Sequence, residues 1–378
     1  MSHPSGQAWS DCATALQWPS ARPAAGRQPQ GARAGARMTP SDFAALGWSV
    51  RFRDQITPED SLLRPARIAA VHRDRVDALG EDGPLSLTLP PGLMTGAVAV
   101  GDWALTDGTV LHRLLDRQSV LMRRAAGKGV DRQLIAANLD RLAIVTSCNG
   151  EFNLARLDRY LALAHAGGIA PVIILTRADM ADPAPYLADA GQAARGAPVL
   201  ALDSRDPAAA AALAQWCGPG QTLGLVGSSG VGKSALAGSL TGTQRQTGPI
   251  RQVDARGRHT TSARFLIRTL FGGWLIDTPG MRELRLAEAA AGIGATFDDL
   301  DALALTCRFT NCGHDSEPGC AIRAAVSAGI IDPDRLQRWS KLIAEDRHTA
   351  ETRHEARSRS RSFGKTVKAA PPGKGRRR

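Results

Sequence analysis

Residues Gly227–Ser234 read GSSGVGKS and match the phosphate-binding pattern G-x-x-x-x-G-K-[ST] at every fixed position. An apolar, strand-like stretch precedes them, and the helical stretch KSALAGSLTG overlaps their end. Glycines let the backbone wrap closely around a phosphate, and the N-terminus of the following helix adds partial positive charge. Lys233 is expected to act catalytically by bridging β- and γ-phosphates, and the Ser234 hydroxyl to bind Mg²⁺. We therefore predict a P-loop α/β domain; the alternative is a glycine-rich turn with a chance Lys-Ser pair.

A second Mg²⁺-binding residue is predicted downstream, where WLIDTPG ends an apolar strand at Asp277. An acidic residue at a strand end holds Mg²⁺ through water, and the N–H of Gly280 in the following turn then meets the γ-phosphate. Met281 comes next, where many GTPases carry a glutamine that orients the attacking water. Because a thioether cannot orient water, we expect slow intrinsic hydrolysis and help from another group, in cis or from a partner.

The segment RGRHTTSARF between these two motifs supplies candidates for the missing groups. Thr260 or Thr261 is placed to complete the Mg²⁺ shell as a switch residue, and Thr261 is assigned a catalytic role. His259 is a candidate for orienting the water. An exposed loop histidine with no catalytic role would give the same sequence, so both interpretations of His259 stand.

The tetrapeptide TRAD, Thr176–Asp179, follows the buried strand APVIILT and is interpreted as a base-reading loop. The Asp179 carboxylate has only acceptors, and guanine offers N1–H and N2–H₂ donors on one edge, whereas adenine offers none there. The usual signature is N-K-x-D; Thr176 keeps a hydroxyl in place of the amide, and Arg177 keeps an aliphatic stem that can lie over the base. A later loop at Asp203-Ser204 gives a weaker signal for a backbone N–H to the base oxygen. The predicted nucleotide-binding residues are Thr176, Arg177, Ala178, Asp179, Gly227, Ser228, Ser229, Gly230, Val231, Gly232, Lys233, Ser234, Ala235, Asp277 and Gly280.

The order of these motifs is unusual, because the base-reading loop precedes the phosphate loop. In an ordinary Ras-like GTPase the phosphate loop comes first. Domain termini often lie close together, so a circular permutation preserves the sheet while changing the order. In this arrangement both switch segments lead directly into the cysteine-rich C-terminal segment, to which the nucleotide state can be transmitted.

A metal site is predicted in CRFTNCGHDSEPGC, where the spacing is C-x4-C-x-H-x5-C. Three thiolates and one imidazole form a closed tetrahedral set for Zn²⁺ with no open position, so the ion would be structural. Asp315 and Glu317 are interpreted as outer-sphere or solvated groups. The alternative is three free cysteines and an unrelated histidine. The predicted ligands are Cys307, Cys312, His314 and Cys320.

The rest of the chain divides by pattern. From about 45 to 125, short strands separated by Gly, Asp and Pro turns predict a small β-barrel, for which an oligonucleotide-binding barrel is one candidate. From Leu139 onward, strands alternate with helices, which predicts a mostly parallel sheet. After about 285 the pattern is helical, interrupted by the cysteine cluster.

Composition narrows the class of protein. The chain has 378 residues and a formal charge of +11, and its C-terminal stretch 353–378 holds ten Lys and Arg against one acid. Such a tail favours a polyanionic partner, most commonly nucleic acid.

Six cysteines, three of them clustered, suit a metal site in a reducing cytosol better than a secreted disulfide framework. Residues 1–37 are interpreted as a disordered extension, with a transit peptide or a start at Met38 as alternatives, and the absence of a long apolar run predicts no membrane span.

In combination, GSSGVGKS, GRHTT, DTPGMRE, the Cys-Cys-His-Cys spacing and their order resemble the circularly permuted ribosome small subunit-dependent GTPase A family, from about Pro65 to Arg347. The resemblance implies an oligonucleotide-binding fold before the GTPase domain, Mg²⁺-dependent hydrolysis of GTP to GDP stimulated by the small ribosomal subunit, and a role in late maturation of that subunit. TRAD and the long extensions at both ends depart from the family pattern.

The expected organisation is therefore α/β with five parts: a disordered extension (1–44), an OB-like β-barrel (45–125), a circularly permuted P-loop GTPase domain (126–284), a helical zinc-binding domain (285–348) and a disordered basic tail (349–378). The expected partners are the small ribosomal subunit with its rRNA and GTP or GDP, and no membrane. The protein is expected to be a cytoplasmic monomer that carries one structural Zn²⁺ and uses Mg²⁺ with GTP. Two alternatives remain: an ATP-hydrolysing P-loop protein, and a zinc RNA-binding protein that uses nucleotide only as a latch.

Overall fold

A computed structural model describes residues 40–124, 132–242, 264–277 and 289–347. All of them lie within one compact unit, Arg37–Arg378. Among the described helices, none is long and apolar enough to cross a bilayer. The strands are β1 (Arg64–Val71), β2 (Arg75–Gly80), β3 (Gly83–Thr88), β4 (Trp103–Thr106), β5 (Leu111–Leu114), β6 (Val120–Arg124), β7 (Arg132–Ala137), β8 (Arg141–Ser147), β9 (Ala170–Thr176), β10 (Val199–Ala201), β11 (Thr222–Gly227), β12 (Phe265–Arg268) and β13 (Trp274–Asp277). The helices are α1 (Pro40–Ala45), α2 (Val50–Arg53), α3 (Leu154–Ala166), α4 (Ala184–Ala194), α5 (Pro207–Leu213), α6 (Lys233–Thr241), α7 (Ala290–Thr296), α8 (Asp298–Ala304), α9 (Ala321–Ser327) and α10 (residues 333–347).

The half that carries the predicted phosphate loop is built on the sheet order β10-β9-β8-β11-β13-β12. In this order β10, β9, β8, β11 and β13 are parallel to one another, and β12 runs antiparallel to β13. The central strands β8, β9 and β11 are rich in Val, Ile and Leu and are buried on both faces, which is typical of a parallel sheet covered by helices. The registers pair Gly227 with Val145 and Ser147 with Thr176, so the carboxyl ends of β8, β9 and β11 lie side by side. Loops that follow these strands therefore meet at one edge.

Strands β1 to β5, the first five in the chain, pair around a separate small core. β1 pairs with β2 and β4, β2 with β3, and β4 with β5. A parallel bridge between Thr88 and Val110 joins the end of β3 to the start of β5. Ile68, Val76 and Leu87 are among the fully buried side chains of this core. β1 also pairs with β12, which makes the two halves one continuous sheet.

Two features of this region were not predicted. Strands β6 and β7, which lie between β5 and β8 in the chain, pair with each other as a separate two-stranded sheet. Arg67 in β1 is 1% exposed and donates to the hydroxyl of Thr222 in β11 at 2.7 Å and to the carbonyl of Leu46. Burial lowers the pKa of Arg67 to about 10, and Asp140 and Asp102 oppose this decrease. The guanidinium stays charged at neutral pH and connects β1 to β11.

The C-terminal helices pack on α3. A Cβ at Gly292 in α7 would lie 2.0 Å from the carbonyl oxygen of Ala162, so only glycine allows this close approach. Two ion pairs join α3 to α10: Asp158 with Arg338, and Arg159 with Glu345. The C-terminal helices are thus attached to the helix that follows β8.

Candidate functional site

The phosphate-binding motif forms the turn between β11 and α6. Gly227, Gly230 and Gly232 have φ values of 144°, 82° and 92°, in the region that favours glycine. A Cβ at Gly227 would lie 2.1 Å from the carbonyl oxygen of Val145, and one at Gly232 would lie 2.7 Å from the Ser204 hydroxyl. The sequence thus places glycine where both conformation and space require it, and the strand and helix predicted around the motif are both present.

Lys233 is the first residue of α6, and its side chain folds back over the loop. Nζ donates to the carbonyl oxygen of Gly227 at 2.7 Å and to that of Ser228. Ser234 and Ala235 follow in the first turn of the helix, with Ser234 exposed. The ammonium group is therefore held at the loop whose backbone N–H groups and helix N-terminus favour an anion.

TRAD follows β9 and contacts the phosphate loop. The Thr176 side chain is fully buried, and its hydroxyl lies 2.7 Å from the carbonyl oxygen of Val231 and 3.0 Å from that of Thr146. Arg177 has a φ of 59°, and its Nη2 donates to the carbonyl oxygen of Gly230 at 2.8 Å. Ala178 donates its N–H toward Leu202 at 3.4 Å. TRAD and the phosphate loop, which are far apart in sequence, are thus in direct contact.

Asp179, the last residue of TRAD, is paired with Arg205, which the sequence analysis did not single out. Arg205 Nη2 donates to Asp179, and Nε donates to Asp203 at 3.0 Å. The hydrogen bond from the Arg205 side chain, helped by the Arg205 backbone N–H, lowers the pKa of Asp203. Asp203 is therefore ionised at neutral pH. The only sequence signal for Arg205 was its position directly after Asp203-Ser204.

A second unpredicted arginine, Arg156, reaches the phosphate loop from the first turn of α3. Asn153 caps this helix by accepting from the Arg156 N–H at 2.9 Å. The Arg156 guanidinium donates to the Ser228 hydroxyl, and it lies 3.6 Å from Glu151. Because the Asn153 cap sets where α3 begins, it also sets where the Arg156 guanidinium lies.

Asp277 ends β13 at the same edge of the sheet. β13 is parallel to β11, with Gly224 opposite Ile276, and Asp277 pairs with Phe265 of β12. The carboxylate is therefore at the strand end next to the phosphate loop, where the sequence predicted a Mg²⁺-binding residue. The predicted site residues His259, Thr260, Thr261, Gly280 and Met281 lie outside the described residues.

The predicted metal ligands come together between α8 and α9. Their four ligand atoms all lie within 4.8 Å of one another. His314 Nδ1 is 3.6 Å from the sulfur of Cys307 and 3.5 Å from that of Cys320, and these two sulfurs are 3.9 Å apart. Tetrahedral bonds of about 2.3 Å to sulfur and about 2.0 Å to nitrogen imply S···N near 3.5 Å and S···S near 3.8 Å. The distances among Cys307, His314 and Cys320 therefore match those of a tetrahedral metal site.

Glu317 organises the loop that carries two of these ligands. Its carboxylate accepts the backbone N–H groups of Gly313 at 2.8 Å, Asp315 at 3.0 Å and Ser316 at 3.1 Å. These bonds, together with its own N–H, lower the pKa of Glu317 to about 2. His314 within this loop has a φ of 63°, and its ring centroid lies 5.4 Å from that of Trp339 in α10.

Comparisons with known proteins agree with this geometry. The sequence model of the RsgA GTPase family matches residues 114–287. The small ribosomal subunit biogenesis GTPase RsgA of Mesorhizobium japonicum is 48% identical over 343 residues, covering 89% of this chain and 96% of that protein. The small ribosomal subunit biogenesis GTPase RsgA 2 of Vibrio vulnificus is 42% identical over 330 residues, covering 86% and 94%.

Two solved structures share the fold. YjeQ from Thermotoga maritima matches with a TM-score of 0.57 at 22% identity, covering 75% of this chain and 98% of that one. YloQ, described as a circularly permuted GTPase, matches with a TM-score of 0.56 at 22% identity, covering 78% and 98%. At this identity the likeness establishes fold alone, and it confirms the mixed α/β architecture.

Proposed function

The chain belongs to the RsgA GTPase family, as its motifs predicted, and from this premise we propose that it hydrolyses GTP to GDP and phosphate in maturing the small ribosomal subunit. The observation that carries the proposal is the joining of the TRAD and phosphate loops through Thr176–Val231 and Arg177–Gly230. A base-reading acid and a phosphate cradle then belong to one nucleotide site. GTP with Mg²⁺ is the proposed substrate, and the small subunit with its rRNA is the proposed partner.

Each predicted residue has a role in this mechanism. The loop N–H groups and Lys233 would hold the β- and γ-phosphates and balance the charge that develops on them. Mg²⁺, when bound, would neutralise phosphate charge; Ser234 and Asp277 are the residues that would hold it. Asp179 would accept from N1–H and N2–H₂ of guanine. The buried Thr176 would maintain the conformation of the phosphate loop through its hydrogen bond to Val231.

Water activation is assigned to the switch segment. Because Met281 cannot orient water, His259 is proposed for that role and Thr261 for the Mg²⁺ shell. Steady-state hydrolysis by His259→Ala tests this assignment. A large drop in turnover with unchanged GDP affinity supports it, whereas unchanged turnover and affinity would remove His259 from the mechanism.

We propose that strands β1 to β5 form an OB-like barrel that binds rRNA. Their pairing runs in a ring, β1-β2-β3-β5-β4-β1, which supports this proposal. The proposed domains remain 45–125 for the barrel, 126–284 for the GTPase domain and 285–348 for the helical metal-binding domain. Together with the basic stretch 353–378, such a barrel would make subunit binding steeply salt-dependent.

Zn²⁺ is the proposed ion of the Cys₃His cluster. Three thiolates and an imidazole are the ligands that Zn²⁺ prefers, and the distances among Cys307, His314 and Cys320 fit its bond lengths. With four protein ligands and no open position, the ion would support folding of this segment rather than catalysis.

The decisive experiment is GTP hydrolysis measured alone, with purified small subunits and with large subunits. Stimulation by small subunits only is expected. No turnover under any condition would favour the nucleotide-latch alternative, and tighter binding of ATP than of GTP would favour the ATPase alternative. Two further proposals are that the protein is a monomer and that it acts in the cytoplasm, where ribosomes are assembled.

A further inference from the structure

We propose that Arg205 is a second base-reading residue, which donates to the O6 atom of guanine while Asp179 accepts from N1–H and N2–H₂. This rests on the proposed function of the TRAD loop and adds a specificity residue to the same site. Neither TRAD nor the phosphate-loop motif includes Arg205, and it lies 26 residues beyond Asp179 in the chain.

The first argument is position. Arg205 and Asp179 come from loops that follow the adjacent parallel strands β10 and β9, and their side chains form an ion pair. On guanine, O6 is bonded to the carbon next to N1. A cation that touches the carboxylate reading N1–H therefore lies beside O6 as well.

The second argument is the way in which Arg205 is held. Nε and Nη2 donate to the two oxygens of Asp203 at 3.0 Å and 3.1 Å, which fixes the plane of the guanidinium. Among the described residues, none of the hydrogen bonds of Arg205 uses Nη1. The side chain is 68% exposed, so this nitrogen can reach a ligand. Arginine matches the acceptors O6 and N7 of guanine with its planar donors, and that pairing specifies guanine elsewhere in biology.

The third argument concerns the backbone N–H of Arg205 itself. It donates to Asp203 Oδ1 at 2.9 Å. That donor is satisfied within the loop, so a bond from Arg205 to O6 would come from its side chain. Adenine carries an amino group at this position, and its hydrogens would face the hydrogens of the guanidinium. Arg205 would thus reject adenine where Asp179 also rejects it.

Asp179 can serve both partners at once. A carboxylate offers about four acceptor positions on two oxygens. The bond from Arg205 uses one of them on Oδ2, which leaves enough for the two donors of guanine. Binding of the base therefore does not require the ion pair to break.

The test compares three diphosphates by titration calorimetry in the presence of Mg²⁺: GDP, IDP and 2-aminopurine riboside diphosphate. IDP keeps N1–H and O6, whereas 2-aminopurine lacks both. For Arg205→Ala, loss of one charge-assisted hydrogen bond should raise Kd about tenfold for GDP and IDP and leave 2-aminopurine diphosphate unchanged. Arg205→Lys should recover part of the loss. Arg53→Ala removes an equally exposed arginine paired with a neighbouring acid, Asp54, and should change nothing.

Three results would overturn the inference while leaving the guanine site intact. Equal GDP binding by Arg205→Ala would mean that Arg205 does not bond to the base, and tighter binding would mean that it competes with the base for Asp179. Equal weakening of all three ligands would mean that Arg205 only maintains the shape of the loop. If the unmodified protein binds ADP as tightly as GDP, the proposed function itself fails, and the inference fails with it.

Discussion

The buried ion pair between Asp158 and Arg338 offers a strong test of how the C-terminal helices are attached to the nucleotide-binding domain. The Asp158 side chain is fully buried and that of Arg338 is 14% exposed, and Arg338 Nε donates to Asp158 Oδ2 at 2.7 Å. Among the described residues, Asp158 Oδ1 has no hydrogen-bond partner. Arg338 therefore provides most of the compensation for a carboxylate taken out of water.

Arg338→Met removes that compensation and leaves the carboxylate in place. Breaking a buried pair by deleting one partner costs about 3–5 kcal/mol. Burial already raises the pKa of Asp158, and Arg338 opposes that rise. Without Arg338 the pKa should rise further, because burial then acts without that opposing charge.

The sign of the pH dependence follows from this shift. An acid whose pKa is higher in the folded state than in the unfolded state binds its proton more tightly when folded. Its favourable contribution is complete below the unfolded pKa and is lost as pH rises through the folded pKa. The destabilisation of Arg338→Met should therefore be largest at neutral pH and shrink as pH falls toward the acid range.

Urea unfolding at pH 7.5 and pH 5.5 measures both effects. Asp158→Asn combined with Arg338→Met should recover much of the lost free energy of unfolding, because no uncompensated charge remains. Lys341→Met, an exposed change on the same helix, should stay within about 0.5 kcal/mol of the unmodified protein. An identical loss at both pH values, or a double variant no more stable than Arg338→Met, would refute the reasoning.

Three further predictions concern the sites themselves. Gly232→Ala should raise Kd for GDP at least about tenfold, because the residue has a φ of 92° and its new Cβ would meet Ser204; calorimetric titration measures this, and unchanged affinity would contradict the strain argument. Asp179→Asn should weaken GDP binding about 10- to 100-fold while favouring xanthosine diphosphate, whose 2-oxo group accepts from the amide. Cys320→Ser should abolish bound zinc, measured by elemental analysis, and impair small-subunit binding more than GDP binding; equal impairment would contradict a separate role for the metal segment.

Much of the nucleotide site could be predicted from sequence because each motif carries its own local requirements. GSSGVGKS demands glycine at positions whose φ is positive, and the strand and helix around it have clear apolar patterns. The alternation of strands and helices predicted a mostly parallel sheet, although it did not predict that β8 lies between β9 and β11. The Cys₃His cluster lies within 14 residues, so spacing alone was enough to indicate that its ligands converge.

The contacts that could not be predicted join residues that have no shared motif. Arg205 lies 26 residues from Asp179, Arg156 lies 72 residues from Ser228, and Arg338 lies 180 residues from Asp158. In sequence each of these arginines is one of many, and a charged residue on a helix is usually solvated. Asp158 in particular falls on the buried side of α3, which apolar periodicity would assign to Leu157 and Leu161 alone.

Helix α3 gives the circular permutation a structural consequence beyond motif order. Its first turn places Arg156 against the phosphate loop, and the residues that follow, Asp158 and Arg159, hold α10 through ion pairs. Side-chain contacts on this one helix therefore connect the phosphate loop to α10, whose Trp339 ring lies near that of the predicted metal ligand His314. The C-terminal segment follows the switch residues in the chain and also contacts α3 directly. It is thus connected to the phosphate loop in two ways, through the chain and through α3, and the Asp158–Arg338 variants weaken only the second connection.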